Sequence, residues 1–217
     1  MSSSRQAQLN ELNKKMLACN KCVLRETCTQ VVPGEGSAEA EIMFIGEGPG
    51  KDEDKQGLPF VGAAGKFLNE MLGIINLKRE DIYIANVVKC RPPANRDPLP
   101  EEVETCWPWL EQQINAINPK LIVTLGRHSL ERFLPGQKIS QAHGKALRRN
   151  MPEIGTRTFY ALYHPAAALY NGSMREVLIS DFKKIPKVVE EVKKSKNEIA
   201  SNTPGVEPEE DNQESLF

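Results

Sequence analysis

Five cysteines in a chain of 217 residues are the first groups whose types and spacing suggest chemistry. Cys19 and Cys22 form a Cys-x-x-Cys pair, Cys90 and Cys106 form a wider one, and Cys28 is left over. The opening residues, MSSSRQAQLNELNKK, contain no apolar signal core, so a cytoplasmic setting is expected. In such a setting thiols serve as metal ligands or redox groups more often than as structural disulfides. Four thiolates can close a zinc site or hold a 4Fe–4S cluster, and spacing alone does not choose between them. Packing as a small buried apolar group is the alternative, and it suits Cys28. The long gap between the pairs is unlike a compact zinc ribbon. A shared site would pin the N-terminal helix to the loop after the second strand.

Three further segments could bear on a ligand: Gly46-Glu47-Gly48-Pro49-Gly50, Asn86 to Cys90, and His164-Pro165. Glycines after a strand let backbone amides approach a planar or anionic ligand, although a plain strand-ending turn looks much the same. The run has neither the Gly-Lys-Ser/Thr of a phosphate loop nor the spacing of a dinucleotide-binding turn.

The elements that must position these groups alternate. Helices are expected at about 5–18, 63–72, 101–117 with Pro100 at the start, 127–133, and from Ser173 to about Glu198. Short apolar runs read as strands: Ile42 to Ile45 ending at Gly46, Ile82 to Ala85 with Val87 and Val88, Leu121 to Leu125, and Thr158 to Tyr163. The stretch between Gly46 and Ala63 reads as a long polar loop. Strands alternating with helices give an α/β fold with a mainly parallel sheet. Ligands of such sheets bind beyond the carboxyl ends of the strands, where the three segments lie.

Composition bounds the rest. No apolar run approaches the roughly 20 residues needed to span a bilayer, so no membrane contact is expected. The net charge is −1, but the tail from Ala200 holds five of the 29 acids and none of the 28 bases. Residues 1–199 are therefore mildly basic, which permits a polyanionic partner without demanding one. They read as one domain, and the acidic, Pro-containing residues 200–217 read as a disordered tail.

The run GEGPGKDEDKQGLPFVGAAG, then NVVKCRPPANRDPLPEE, then HPAAAL, with the Cys-x-x-Cys near the start, closely resembles the family-four uracil-DNA glycosylases, the thermostable-type, iron–sulfur members of their superfamily. The resemblance runs from about Cys19 to Phe182. It implies a three-layer α/β/α fold with a central four-stranded parallel sheet. It also implies a monomeric, monofunctional enzyme that flips deoxyuridine out of single- or double-stranded DNA and hydrolyses its N-glycosidic bond. A structural 4Fe–4S cluster held by Cys19, Cys22, Cys90 and Cys106 comes with it.

Residue by residue, Asn86 matches the asparagine whose amide donates to uracil O4 and accepts from N3–H. Phe60 matches the aromatic that stacks on the base. His164 matches the donor at O2 that stabilises charge building on the leaving ring. Glu47, Gly48 and Pro49 match the segment lying against uracil and the attacking water. The best-known family carries an Asp where Gly48 stands, so that water-orienting device is absent and Glu47 is left as a candidate. Glu53 matches an acid near the C5 edge that excludes a methyl group; otherwise it belongs to a solvated charged face. The wedge that fills the gap of a flipped base is expected at Leu169, because the usual position holds Ala168. Arg91, Arg96, Lys145, Arg148 and Arg149 are expected to meet phosphates. His128 and His143 read as surface or capping residues.

Two rival functions fit the same residues: a nucleic-acid-binding scaffold with a dead pocket, and an electron carrier built on the cluster. Base release separates the first from an enzyme, and reversible reduction without base release marks the second. The C-terminal Gln213-Glu214-Ser215-Leu216-Phe217 resembles a shortened sliding-clamp-binding peptide, with Gln213, Leu216 and Phe217 as its anchors. Deleting residues 213–217 should abolish clamp binding in a pull-down while leaving activity on free oligonucleotide intact.

Overall fold

The computed structural model describes residues 4–201. In chain order its elements are α1 (Arg5–Leu17), α2 (Leu24–Thr27), β1 (Glu35–Gly36), β2 (Ile42–Gly46), α3 (Lys51–Gln56), α4 (Ala63–Ile74), β3 (Tyr83–Asn86), α5 (Pro100–Ile117), β4 (Leu121–Leu125), α6 (Arg127–Phe133), α7 (Ile139–Ala142), β5 (Ala146–Met151), β6 (Gly155–Leu162), α8 (Ala167–Tyr170), α9 (Gly172–Phe182) and α10 (Ile185–Ser201).

One sheet runs in the order β1-β3-β2-β4-β6-β5. Its four central strands are parallel, with Gly46 opposite Asn86, Ile45 opposite Thr124 and Leu125 opposite Leu162. That register sets Gly46, Asn86, Leu125 and Leu162 along one edge. Strands β2, β3 and β4 are buried at every position, which is why they read as unbroken apolar runs. Alternate side chains feed two cores. Met43, Ile45 and Ala85 pack with Leu12, Met16 and Leu110 of α1 and α5 on one face. Phe44, Ile84 and Val123 pack with Phe67, Leu68 and Phe182 of α4 and α9 on the other. The result is three layers. No helix among the described residues is long and apolar enough to cross a membrane.

The expected four parallel strands are present, and two antiparallel edge strands extend them. β1 is two residues long, and β5 alternates exposed and covered positions, so neither carries an apolar run. Strand β3 stops at Asn86; the amides of Val87 and Val88 donate instead to Gly46 and Glu47 carbonyls. The expected loop after Gly50 contains α3, with an acidic first turn and Gly57 at φ +72° closing it. The single closing helix is broken at Lys183 and Lys184 into α9 and α10.

Candidate active site and cysteine centre

At the carboxyl edge of β2, β3 and β6 lies a cleft of about 350 Å³ lined by Glu47, Gly48, Pro49, Glu53, Phe60, Asn86 and His164, among others. All seven residues expected to face the base are therefore brought together. Asn86 is 2% exposed, yet its Oδ1 has no hydrogen-bond partner in the structure. Leaving a buried acceptor unpaired costs roughly 1–3 kcal/mol, so this oxygen suits a donor arriving with a ligand. Gly46 makes the arrangement possible. A Cβ there would fall 2.5 Å from Asn86 Oδ1 and 2.7 Å from the Phe60 ring.

Phe60 is buried and adopts φ +52°, a strained conformation for a bulky residue. Its loop is clamped from both sides. Arg79 donates to the Phe60 carbonyl at 3.1 Å and the Pro59 carbonyl at 2.6 Å, and pairs with Glu35 at 2.6 Å. Glu53 Oε1 accepts from the amides of Val61 and Gly62, both at 2.9 Å. Glu53 is thus neither on a solvated face nor free: it organises the aromatic loop from the cleft wall. The Phe60 and His164 rings stack with centroids 5.6 Å apart.

Burial lowers the His164 pKa to about 4, with Glu53 opposing weakly. The imidazole is neutral at pH 7. Its Nδ1 accepts from the Ala166 amide at 3.2 Å, so the ring proton sits on Nε2, available as a donor.

Glu47 brings with it a cluster absent from the sequence reading. His128 Nε2 lies 3.7 Å from Glu47 Oε2 and 3.2 Å from Asp97 Oδ1. Arg127 supplies the cation, with Nε 2.9 Å from His128 Nε2 and Nη2 2.6 Å from Asp97. Burial raises the Glu47 pKa, with nearby Asp97 adding to it and His128 and Arg127 pulling it down. The cluster follows Gly126 at the carboxyl end of β4, the fourth strand end, so the strand-end rule carried the signal. Gly48 cannot readily carry a side chain, since a Cβ would sit 2.8 Å from Val88 Cγ2.

Cys19, Cys22, Cys90 and Cys106 line one apolar cavity with Met16, Leu24 and Trp109, joining the segment after α1 to the loop after β3 and to α5. Burial raises the Cys106 thiol to about 11 and the Cys90 thiol further. A bound metal would be needed to hold them as thiolates. Among the described residues no three of these sulfurs lie within 4.8 Å of one another. A tetrahedral zinc at ~2.3 Å would need its sulfurs about 3.8 Å apart, closer than this arrangement holds any three of them. Trp109 Nε1 donates to Cys19 Sγ and the Lys89 amide to Cys106 Sγ, both at 3.3 Å. Cys28 is buried beside Cys90 but outside this lining.

Lys89 was also missed. It is 2% exposed, with Nζ 2.6 Å from Gln113 Oε1 and 2.9 Å from the Asn86 carbonyl oxygen. Nothing in Val-Val-Lys-Cys marks this lysine as buried.

The basic residues divide. Lys145 is exposed near the carboxyl end of β6, where its carbonyl accepts from Ala161. Arg91 is half-buried and donates to Asn95 at 2.7 Å. Arg96 lines the cleft but is committed to Glu102 through two hydrogen bonds of 2.8 and 2.6 Å. The structure does not bring Arg148 to this edge. It pairs with Thr158, six residues before His164, or about 20 Å along an extended chain, because the β5–β6 hairpin carries it to the far end of the sheet. Arg149 lines a neighbouring cleft with Glu47 and His128. Leu169 is 48% exposed on α8, and Tyr170 beside it is 90% exposed. Gln213, Leu216 and Phe217 lie outside the described residues.

Residues 33–193 match the model of the uracil DNA glycosylase superfamily. The chain is 50% identical over 183 residues to a type-4 uracil-DNA glycosylase of Archaeoglobus fulgidus, covering 82% of this chain and 91% of that protein. It is 48% identical to a type-4 uracil-DNA glycosylase of Sulfurisphaera tokodaii, covering 82% and 83%, respectively. A type-4 uracil-DNA glycosylase of Thermotoga maritima is 41% identical, with 83% and 94% covered. With the family model spanning most of the folded body and relatives this similar along it, the chain belongs to the uracil-DNA glycosylase superfamily, in its type-4 branch.

Proposed function

We infer that this chain is a uracil-DNA glycosylase that hydrolyses the N-glycosidic bond of deoxyuridine in DNA and so begins base excision repair. The observation that carries the reading is the unpaired, buried Oδ1 of Asn86, a residue lining a cleft large enough for a base. Uracil presents a donor at N3 and an acceptor at O4, which complement a carboxamide's oxygen and amino group. Cytosine presents the reverse and would leave both pairs repelling. Phe60 would carry the ring face, a role its strained backbone serves by holding the ring rigidly.

Bond cleavage leaves negative charge on the uracil ring. The His164 Nε2–H would meet that charge at O2 as a neutral donor, without giving up its proton. Glu47, on the wall beside Gly48, would accept a hydrogen bond from the attacking water, with the His128 ring 3.7 Å from its carboxylate and Arg127 nearby to offset the charge. Among the described residues no lysine lines the cleft to act as a nucleophile, which favours hydrolysis without strand cleavage.

The four cysteines would hold a 4Fe–4S cluster whose contribution is a structural cross-link between the N-terminal segment and the loop after β3. The one cavity lined by all four cysteines and the two hydrogen bonds to sulfur support a shared site.

Uracil release from a single-stranded oligonucleotide tests the reading. The wild type should release uracil, and Asn86→Ala should lower kcat/KM on the order of 100-fold. Full activity in Asn86→Ala would remove the pocket assignment. Zinc without iron in anaerobically purified protein would remove the cluster.

A further inference from the structure

We propose that Lys89 is a positioning residue that holds Asn86 for base recognition, and that the anionic group on the four cysteines balances its charge. The inference rests on the function and cofactor given above, and it concerns a group that neither reading uses. Lys89 is one of the largest fully buried side chains, and both its acceptors, the Asn86 carbonyl and Gln113 Oε1, are neutral. No ion pair reaches it among the described residues. A buried ammonium with only neutral partners is strongly unfavourable, so an uncompensated lysine here calls for a nearby negative charge.

The cysteine centre is where that charge would be. The Lys89 amide donates to Cys106 Sγ at 3.3 Å, and the next residue is Cys90. Four thiolates around an iron–sulfur cluster carry a net negative charge, whereas four thiols carry none. The bound group would thus supply what the buried ammonium lacks.

The other end of the connection is the base-reading residue. Gln113 is oriented by its amino group, which donates to the Pro33 carbonyl at 2.9 Å and to Tyr83 Oη at 3.0 Å. Its carbonyl is therefore aimed at Nζ by fixed neighbours, and Nζ in turn holds the main-chain oxygen of Asn86. Tyr83 begins the strand that Asn86 ends. Tyr83, Gln113, Lys89 and Asn86 form a closed, buried brace around the carboxyl end of β3. Turning the Asn86 peptide would swing its carboxamide away from the base edge. Removing the ammonium should therefore weaken uracil binding more than it slows bond cleavage.

The test uses the full-length holoenzyme carrying Lys89→Met, purified without oxygen. Iron content, cluster reduction potential, and KM and kcat on a single-stranded uracil oligonucleotide are measured. The expected result is retained iron, a potential shifted to more negative values, and KM raised on the order of tenfold with kcat changed much less. His164→Ala, as the control, should lower kcat instead. Retained iron with wild-type KM or an unshifted potential would overturn the proposal. Wild-type protein that releases no uracil would instead overturn the function assigned above. Should Lys89→Met fail to accumulate, native holoenzyme labelled with 13C at lysine Cε decides. One lysine resonance shifted by the cluster should move when free uracil is added; if none does, the proposal is wrong.

Discussion

His164 and Glu47 share the carboxyl edge of the sheet, and burial pushes both toward their neutral forms, with opposite consequences for pH. For His164 the folded pKa of about 4 lies below the usual value of 6.5. As pH falls from 6.5 toward 4, the unfolded chain takes up a proton that the folded chain refuses, so this residue lowers stability across that window and has no effect above it. The donor form persists throughout. Uracil release should therefore show no inflection near pH 6.5 attributable to His164, while His164→Ala should cut kcat on the order of 100-fold or more at every pH. A rate profile from pH 5 to 8 on both proteins checks this. Glu47 binds its proton more readily folded than unfolded, so its ionised form costs stability above the carboxylate range and costs nothing well below it. Glu47→Gln should raise the melting temperature at pH 8 and not at pH 4, while lowering kcat. Paired melting curves at the two pH values read it out.

At the scale of elements, the Phe60 loop shows how a strained segment is held. Nothing in Leu-Pro-Phe-Val announces a positive φ, and the residues that hold it come from elsewhere: Glu53 on α3, Arg79 before β3 and Gly65 on α4. A Cβ at Gly65 would fall 1.8 Å from the Phe60 carbonyl oxygen, so the helix admits the loop only because that position is glycine. Arg79→Ala removes the donors to Pro59 and Phe60 and leaves Glu35 without its partner. The expected cost is about 1–3 kcal/mol in stability, with a KM increase that exceeds any change in kcat. Urea unfolding together with steady-state kinetics checks both, and a wild-type KM would mean that Phe60 keeps its place without the clamp.

For the whole molecule, the four cysteines bring the N-terminal segment, the loop after β3 and α5 together around one cavity. Cys90→Ser should lose the iron and lower stability by several kcal/mol, because binding free energy at such a site is folding free energy. Cys28→Ser should keep the iron at a cost of about 1 kcal/mol. Iron analysis and thermal unfolding of the two variants distinguish a four-cysteine site from one that recruits Cys28. The parallel strands, α5, and the placement of Glu47, Asn86 and His164 at strand ends were legible in the sequence, because unbroken apolar runs and helical spacing are local patterns. Cysteine spacing singled out Cys19, Cys22, Cys90 and Cys106, and the resemblance carried Phe60. Only the tertiary structure decided that Glu53 braces a loop, that Arg96 belongs to Glu102, and that the hairpin takes Arg148 to the far edge. It alone brought His128 and Asp97 to Glu47 and buried Lys89 between Asn86 and the cysteines. Periodicity reports which face of an element is covered, whereas a charged side chain takes its meaning from partners distant in sequence, and folding alone selects them.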